Sequence, residues 1–215
     1  MSPARRGPRL SQAERREQLV QAALEVMARE GAWALTTRAV AAQAGVPHGT
    51  VHYAFSSKDA LIRAVLDADV EHASRIFSPA QAADGENAEQ TLTRVLDAYT
   101  DRLLQDPDTE RVLQELTILG AREEALREAV AESTAQYRAM VHALLEAIAK
   151  RDALHWDAPL PLLTEQLLAL VFGATLSWLV ERDDVLLREA LRDAGRSLAG
   201  RLRPPGSCAG DPGRV

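Results

Sequence analysis

Residues 36–61, TTRAVAAQAGVPHGTVHYAFSSKDAL, decide how this chain folds. The stretch reads as two short helices around a tight turn, followed by the opening of a third. Ala41 is small where two helices would cross closely. Gly45, four residues on, stands at the helix stop, where a left-handed backbone is needed and glycine takes it up without steric cost. Val46, Val51 and Phe55 are the apolar residues that lock the second helix onto the first. Thr36 or Thr37 can cap the first helix, because a hydroxyl there accepts a hydrogen bond from an otherwise unpaired N–H. Such a pair places the end of its second helix in the major groove of DNA.

Working outward from this stretch, the rest of the chain reads as helices. Ser11–Glu30 predicts a first helix, with Ser11 and Glu14 in the form of a capping box and Leu19, Ala22, Ala23, Val26 and Met27 on one face. Gly31 stops it, and Trp33 and Leu35 are expected in a small N-terminal core. Thr37–Ala44 and His48–Phe55 are the paired helices. Ser57 caps a longer helix from Lys58 to about Phe77, which joins two domains. A polar loop, Pro79–Asn87, precedes a helix over Ala88–Leu104 that breaks at Asp106-Pro107, since proline disfavours a helical residue before it. Thr109–Leu119 predicts a short helix ending at Gly120. Arg122–Arg151 is long and amphipathic. After a loop at His155–Pro161, the last helices run Pro161–Glu181 and Asp184–Leu202.

The fold class expected is therefore all-α, with an N-terminal three-helix helix-turn-helix domain and a C-terminal helical domain. The division is a disordered basic arm over 1–10, the helix-turn-helix domain over 11–60, a helical domain over 61–203 and a flexible tail over 204–215. The domain boundary falls inside a helix, so it does not look like a linker.

Bulk composition agrees. The 215 residues are 47% apolar, rich in Ala, Leu, Arg and Glu and poor in strand formers. The single cysteine, Cys208, permits no disulfide within the chain and fits a reducing cytosol. The start, MSPARRGPRL, has no apolar segment after its arginines and is not a signal peptide. No stretch reaches the roughly 18 uncharged residues of a membrane span. Leu160–Val180 comes nearest, interrupted by Glu165 and Gln166. The expected location is cytoplasmic, with no membrane partner.

The net charge of −6 seems to argue against a DNA partner, but the charge is unevenly placed. Residues 1–63 hold nine Arg/Lys against five Asp/Glu, whereas residues 64–215 hold sixteen against twenty-six. Affinity for DNA follows local neutralisation of phosphates, not the global sum. The basic part coincides with the helix-turn-helix.

The stretch LVQAALEVMAREGAWALTTRAVAAQAGVPHGTVHYAFSSKDAL, within about Gln18–Leu66, resembles the N-terminal domain of the TetR family of bacterial transcriptional regulators. The matching pieces are a first helix ending at Glu30-Gly31, the TTRAVAAQAGV helix and turn, the GTVHYAF recognition helix and the SKDAL opening. The resemblance implies a homodimer with a helical ligand-binding domain behind the DNA-binding one, most often a repressor released by a small molecule. The sequence departs from the family pattern at His52 and Ala54, where many members carry Tyr and His. Ala54 cannot make the phosphate contact a histidine would make.

With Val51 and Phe55 turned inward, the outward residues of the recognition helix are His48, Gly49, Thr50, His52 and Tyr53. Thr50 and His52 suit base edges, Tyr53 a phosphate and sugar, and Gly49 lets the backbone approach. Lys58 at the start of the next helix, and Thr37 and Arg38 at the first helix of the pair, are placed for phosphates. Arg5, Arg6 and Arg9 add grip from the arm. A second inference concerns Leu167–Val180, apolar nearly all the way round. Such a helix needs cover on two sides, and a second copy of the chain, paired through the last two helices, is the simple source. Gly173 and Ala174 allow close approach. The candidate wall of a small-molecule pocket is Tyr99, Leu103, Leu113, Tyr137, Met140, Val141, Phe172 and Trp178.

An enzyme is the competing class. The sequence has no phosphate-cradling glycine loop, no H-E-x-x-H and no C-x-x-C, so no catalytic residue, metal ligand or cofactor is expected. The runner-up reading is a ligand-binding or enzymatic helical protein whose helix-turn-helix no longer binds DNA.

Overall fold

The computed structural model describes residues 10–82 and 85–205. The basic arm with Arg5, Arg6 and Arg9, and the tail from residue 206 with Cys208, lie outside the described residues. Nine helices and one two-stranded ribbon make up the described chain: α1 (Gln12–Glu30), α2 (Thr37–Gln43), α3 (His48–Ala54), α4 (Lys58–Ile76), α5 (Ala88–Gln105), α6 (Pro107–Arg122), α7 (Glu124–Arg151), β1 (His155–Trp156), α8 (Leu160–Glu181), α9 (Asp184–Ala199) and β2 (Leu202–Arg203). The expected all-α class is the one found.

The described residues divide into two compact units, one formed by residues up to 69 with 108–131, the other by residues 70–107 with those from 132 on. The division cuts α4 at Asp69/Val70. Residues 108–131 pack with the first unit although they are distant from it in sequence, a grouping that a contiguous reading at residue 60 does not contain.

In the first unit, Leu19, Ala23, Val26 and Met27 of α1 meet Val40 of α2, Val51 of α3, and Leu61, Ile62 and Val65 of α4 in one buried cluster. Val112 and Leu116 of α6 and Leu126 of α7 complete it. The Ser11–Glu14 capping box is formed in both directions. Gly31 ends α1 at φ +90°, and its N–H still reaches the Met27 carbonyl at 2.7 Å. Leu35 is buried as expected, but Trp33 is not: it is 67% exposed. Trp33 sits in a 3-10 turn over residues 32–34, and its ring lies flat over Gly31, where a Cβ would be 2.5 Å from it. A side chain at residue 31 would clash with the indole, so the glycine admits the ring while most of its surface stays open to solvent. Gly120 also departs from expectation. It lies inside α6, closely covered by Val130, and terminates nothing.

In the second unit α5 and α9 pack along their length. Gly195 of α9 permits the approach, since a Cβ there would stand 3.3 Å from Leu96 and 3.5 Å from Leu92. Outside that seam Asp97 binds Arg192, Nε to Oδ1 at 2.9 Å, and Asp101 binds Arg188 at 2.6 Å. Hydrogen bonding to these carboxylates, Asp101 foremost for Arg188, holds both guanidinium groups more firmly protonated than usual. β1 and β2 pair antiparallel, His155 opposite Arg203 and Trp156 opposite Leu202, where the sequence suggested only a loop. Asp157 ties the ribbon off, binding Arg201 at 2.8 Å and Arg203 at 3.1 Å.

α8 is long and apolar enough to cross a membrane by length and composition, with a mean hydropathy of 1.5 over its best window. Glu165, which interrupts the run, bonds Arg138 on an exposed face. Leu163, Leu167, Leu168, Val171, Thr175 and Trp178 form the buried stripe of α8, whereas Leu162, Leu170, Leu176 and Val180 are exposed, as are Val185 and Leu186 of α9.

Candidate nucleic-acid interface

The turn between α2 and α3 is built by backbone hydrogen bonds that the sequence prepares. Thr36 is the N-cap of α2, its hydroxyl accepting from the Ala39 N–H at 3.1 Å. At the other end Gly45 adopts φ +64°. The Val46 N–H reaches the Ala41 carbonyl at 3.0 Å and the Gly45 N–H the Ala42 carbonyl at 3.2 Å. This crossed pair is a Schellman stop, with apolar Val46 packed where such a stop wants it. Pro47 then sets the entry to α3. Val51 and Phe55 are buried, which fixes the rotation of α3 about its own axis.

That rotation decides what α3 shows. His48, Gly49, His52 and Tyr53 are exposed and Thr50 is half-buried. Tyr53 is 84% exposed, with its ring available to a group approaching from outside. A methyl group added at Gly49 would meet nothing within the chain, so the surface there is open to an approaching group. His48 and Thr37 are brought together, Nε2 to Oγ1 at 3.0 Å, which joins the starts of α3 and α2. The His48 and His52 rings lie edge to face with centroids 4.5 Å apart. Arg38 is exposed in the first turn of α2, and Lys58 is half-buried at the first residue of α4, whose N-cap Ser57 accepts from Ala60 at 3.0 Å.

Sequence reasoning missed two braces from α1. Arg16 donates to the Ala54 carbonyl at the end of α3 and stacks its guanidinium 4.3 Å over the Phe55 ring. A cation there also suits the negative end of the helix dipole. Gln18 donates to the Ala44 carbonyl at 3.1 Å, beside the turn. Both contacts span more than twenty residues of sequence, and neither has a local pattern to announce it.

The expected pocket wall is not gathered as one set. Tyr99, Leu103, Val141 and Trp178 are buried in the core of the second unit, with Tyr137, Met140 and Phe172 packed against it. Tyr99 shares a hydrogen bond with Thr175 at 3.2 Å, and the Tyr137 and Phe172 rings meet at 6.3 Å. Trp178 donates to Asp184 at 2.8 Å. Leu113 packs instead against the core of the first unit, because α6 belongs there.

The likeness to known proteins falls in two consecutive stretches of the sequence. The family model of bacterial regulatory proteins of the tetR family matches residues 19–65, and the model of the C-terminal part of BetI-type transcriptional repressors matches residues 88–203, more than half of the chain. The chain is 30% identical over 99 residues to the HTH-type nicotine-responsive transcriptional repressor HdnoR of Paenarthrobacter nicotinovorans, a match spanning 46% of this chain and half the length of that relative. Among solved structures, a TetR transcription regulator from Haloarcula marismortui superposes with a TM-score of 0.73 at 22% identity, covering 89% of this chain and 100% of that one. GusR of Salmonella enterica gives 0.73 at 21% identity, covering 87% and 96%. With both halves matched in order along the sequence, the chain belongs to the TetR family of bacterial transcriptional regulators.

Proposed function

We propose that this chain is a cytoplasmic, homodimeric, sequence-specific repressor that grips operator DNA with α3 and lets go when a small apolar or amphipathic ligand binds. The observation that carries the first part is the seating of α3: Val51 and Phe55 buried, Tyr53, His52 and His48 turned out together. Thr50 and His52 read base edges; Tyr53, Lys58, Thr37 and Arg38 hold phosphates; Gly49 admits the backbone. The repressor sign is supported by the BetI-type match and by a curated relative that is itself a repressor.

The dimer is supported by α8 and α9. Leu162, Leu170, Leu176 and Val180, with Val185 and Leu186, leave apolar surface facing outward on two adjacent helices, and Gly173 has open space above it. Pairing this surface with its own copy across a twofold axis buries it and sets two recognition helices on one duplex. The packing of Tyr99, Tyr137, Met140, Phe172 and their neighbours in the second unit supports a ligand site among them. α4 contributes residues to both units in one continuous helix, which is the route by which a ligand alters the spacing of the two copies of α3.

A gel-shift titration with DNA from upstream of the gene, at two salt concentrations, tests the reading. Sequence-dependent retardation that weakens steeply with salt supports it. No retardation of any fragment returns the chain to the class of helical proteins that no longer bind DNA.

A further inference from the structure

We infer that operator binding by this chain is coupled to proton uptake at the His48–His52 pair, so that acidification tightens its hold on DNA. The inference rests on the reading of α3 as the DNA-contacting helix. Two histidines one helical turn apart on the exposed side of α3 stand with ring centroids 4.5 Å apart, nearly perpendicular. Both are exposed, and His48 is steered by Thr37 through a 3.0 Å contact at Nε2. Among the described residues neither ring is paired with a carboxylate. The charged and titratable groups carried by the surrounding elements are Arg38 from α2, Glu14, Arg15, Arg16 and Glu17 from the first turns of α1, Tyr53 from α3 itself, and Lys58 with Asp59 from the opening of α4.

Histidine is the side chain that changes charge between pH 5 and 8. In the absence of DNA, two imidazolium rings this close repel one another. DNA acceptors brought to the pair, a phosphate oxygen at His48 and a base-edge acceptor at His52, offset that repulsion and accept from both cations. The Thr37 contact survives the change, because a protonated His48 donates through Nε2 to the Thr37 hydroxyl oxygen. That hydroxyl then keeps its own proton for a phosphate. Binding therefore draws protons onto the pair, and by linkage lower pH strengthens binding.

The test is a fluorescence-anisotropy titration of the full chain against a labelled duplex from its own upstream region, at pH 7.5 and pH 6.0 and constant ionic strength. Uptake of about one proton makes binding roughly tenfold or more tighter at pH 6.0. It also steepens the dependence of log K on log salt by about one, since a protonated ring neutralises a phosphate. His48→Gln/His52→Gln removes both effects. Should that variant lose binding altogether, His52→Gln alone, together with the wild-type salt slope at the two pH values, decides the same point. Equal wild-type affinity at both pH values, or a pH dependence that persists in the glutamine variants, overturns the inference and leaves the repressor reading standing. Absence of DNA binding at either pH overturns the reading beneath it as well.

Discussion

Tyr53 is the side chain on which the proposed interface leans most, because its ring is held out to solvent while Val51 and Phe55 on the inner face of α3 are buried. Tyr53→Ala and Lys58→Ala are each expected to weaken operator binding by roughly tenfold or more, and to lower the salt slope by about one for each lost phosphate contact. An unchanged anisotropy titration removes the residue concerned from the interface. Arg16 is predicted to act differently. It holds the carbonyl end of α3 through Ala54 and packs over Phe55. Arg16→Ala therefore costs more affinity for the selected duplex than for unrelated DNA, measured by competition. Equal losses on both would make Arg16 an ordinary surface cation. The outward residues of α3 were legible in the sequence because Val51 and Phe55 fix which side is inward. Arg16 and Gln18 were not legible, since a contact between residues 38 or 26 apart depends on how α1 crosses α3, which no local pattern encodes. Trp33 misled for a related reason: a large apolar residue beside a helix stop reads as core, yet here Gly31 leaves it room at the surface.

At the scale of elements, most helix starts and stops are legible as local signals, whereas helix grouping is not. Ser11, Thr36, Asn87 and Asp183 cap helices by side-chain hydrogen bonds, and Gly31 and Gly45 stop them at positive φ. These are local matters that the chain writes down residue by residue. Gly120 was misread as a stop because the same residue type also serves close packing. Val130 fills the space a Cβ would take, its Cγ2 only 2.6 Å away. Gly120→Ala is expected to destabilise the protein by about 1–3 kcal/mol despite alanine's better helix propensity. A urea midpoint at or above wild type would contradict this packing argument. Acid sensitivity belongs to this scale too. Arg94 hydrogen-bonds Glu86 at 2.8 Å and also clasps Gln81, which ties residues 81 and 86 of the α4–α5 connection to α5. The Arg94 hydrogen bond, first among its causes, holds the Glu86 carboxyl below the usual carboxylate range. A carboxyl depressed in the folded state contributes its stability above the unfolded value and loses it as pH falls through the folded one. Thermal melts of Arg94→Met are predicted to lose part of the wild-type difference between neutral and acidic pH. An identical pH profile would show the clasp to be inert.

For the whole molecule the decisive question is what covers the outer face of α8. Its apolar character was legible as a run that no single face can bury, and the structure leaves Val180 80% exposed and Leu162, Leu170 and Leu176 exposed by 41–48%. Light scattering is expected to give twice the chain mass of 23.4 kDa, and Leu170→Glu/Leu176→Glu to halve it. A wild-type mass of one chain would leave that face without its proposed mate. The ligand remained beyond the reach of sequence because the aromatic residues that would line a site also make ordinary core, and Leu113 turned out to serve the other unit. Two copies of α3 meeting one duplex are the core of the proposed function, and hydroxyl-radical footprinting of the full chain on its own upstream DNA tests that most directly. Two protected patches related by twofold symmetry, their centres one helical turn or a multiple of it apart, are the predicted result. A single unsymmetrical patch, or uniform cleavage at every protein concentration, would contradict it.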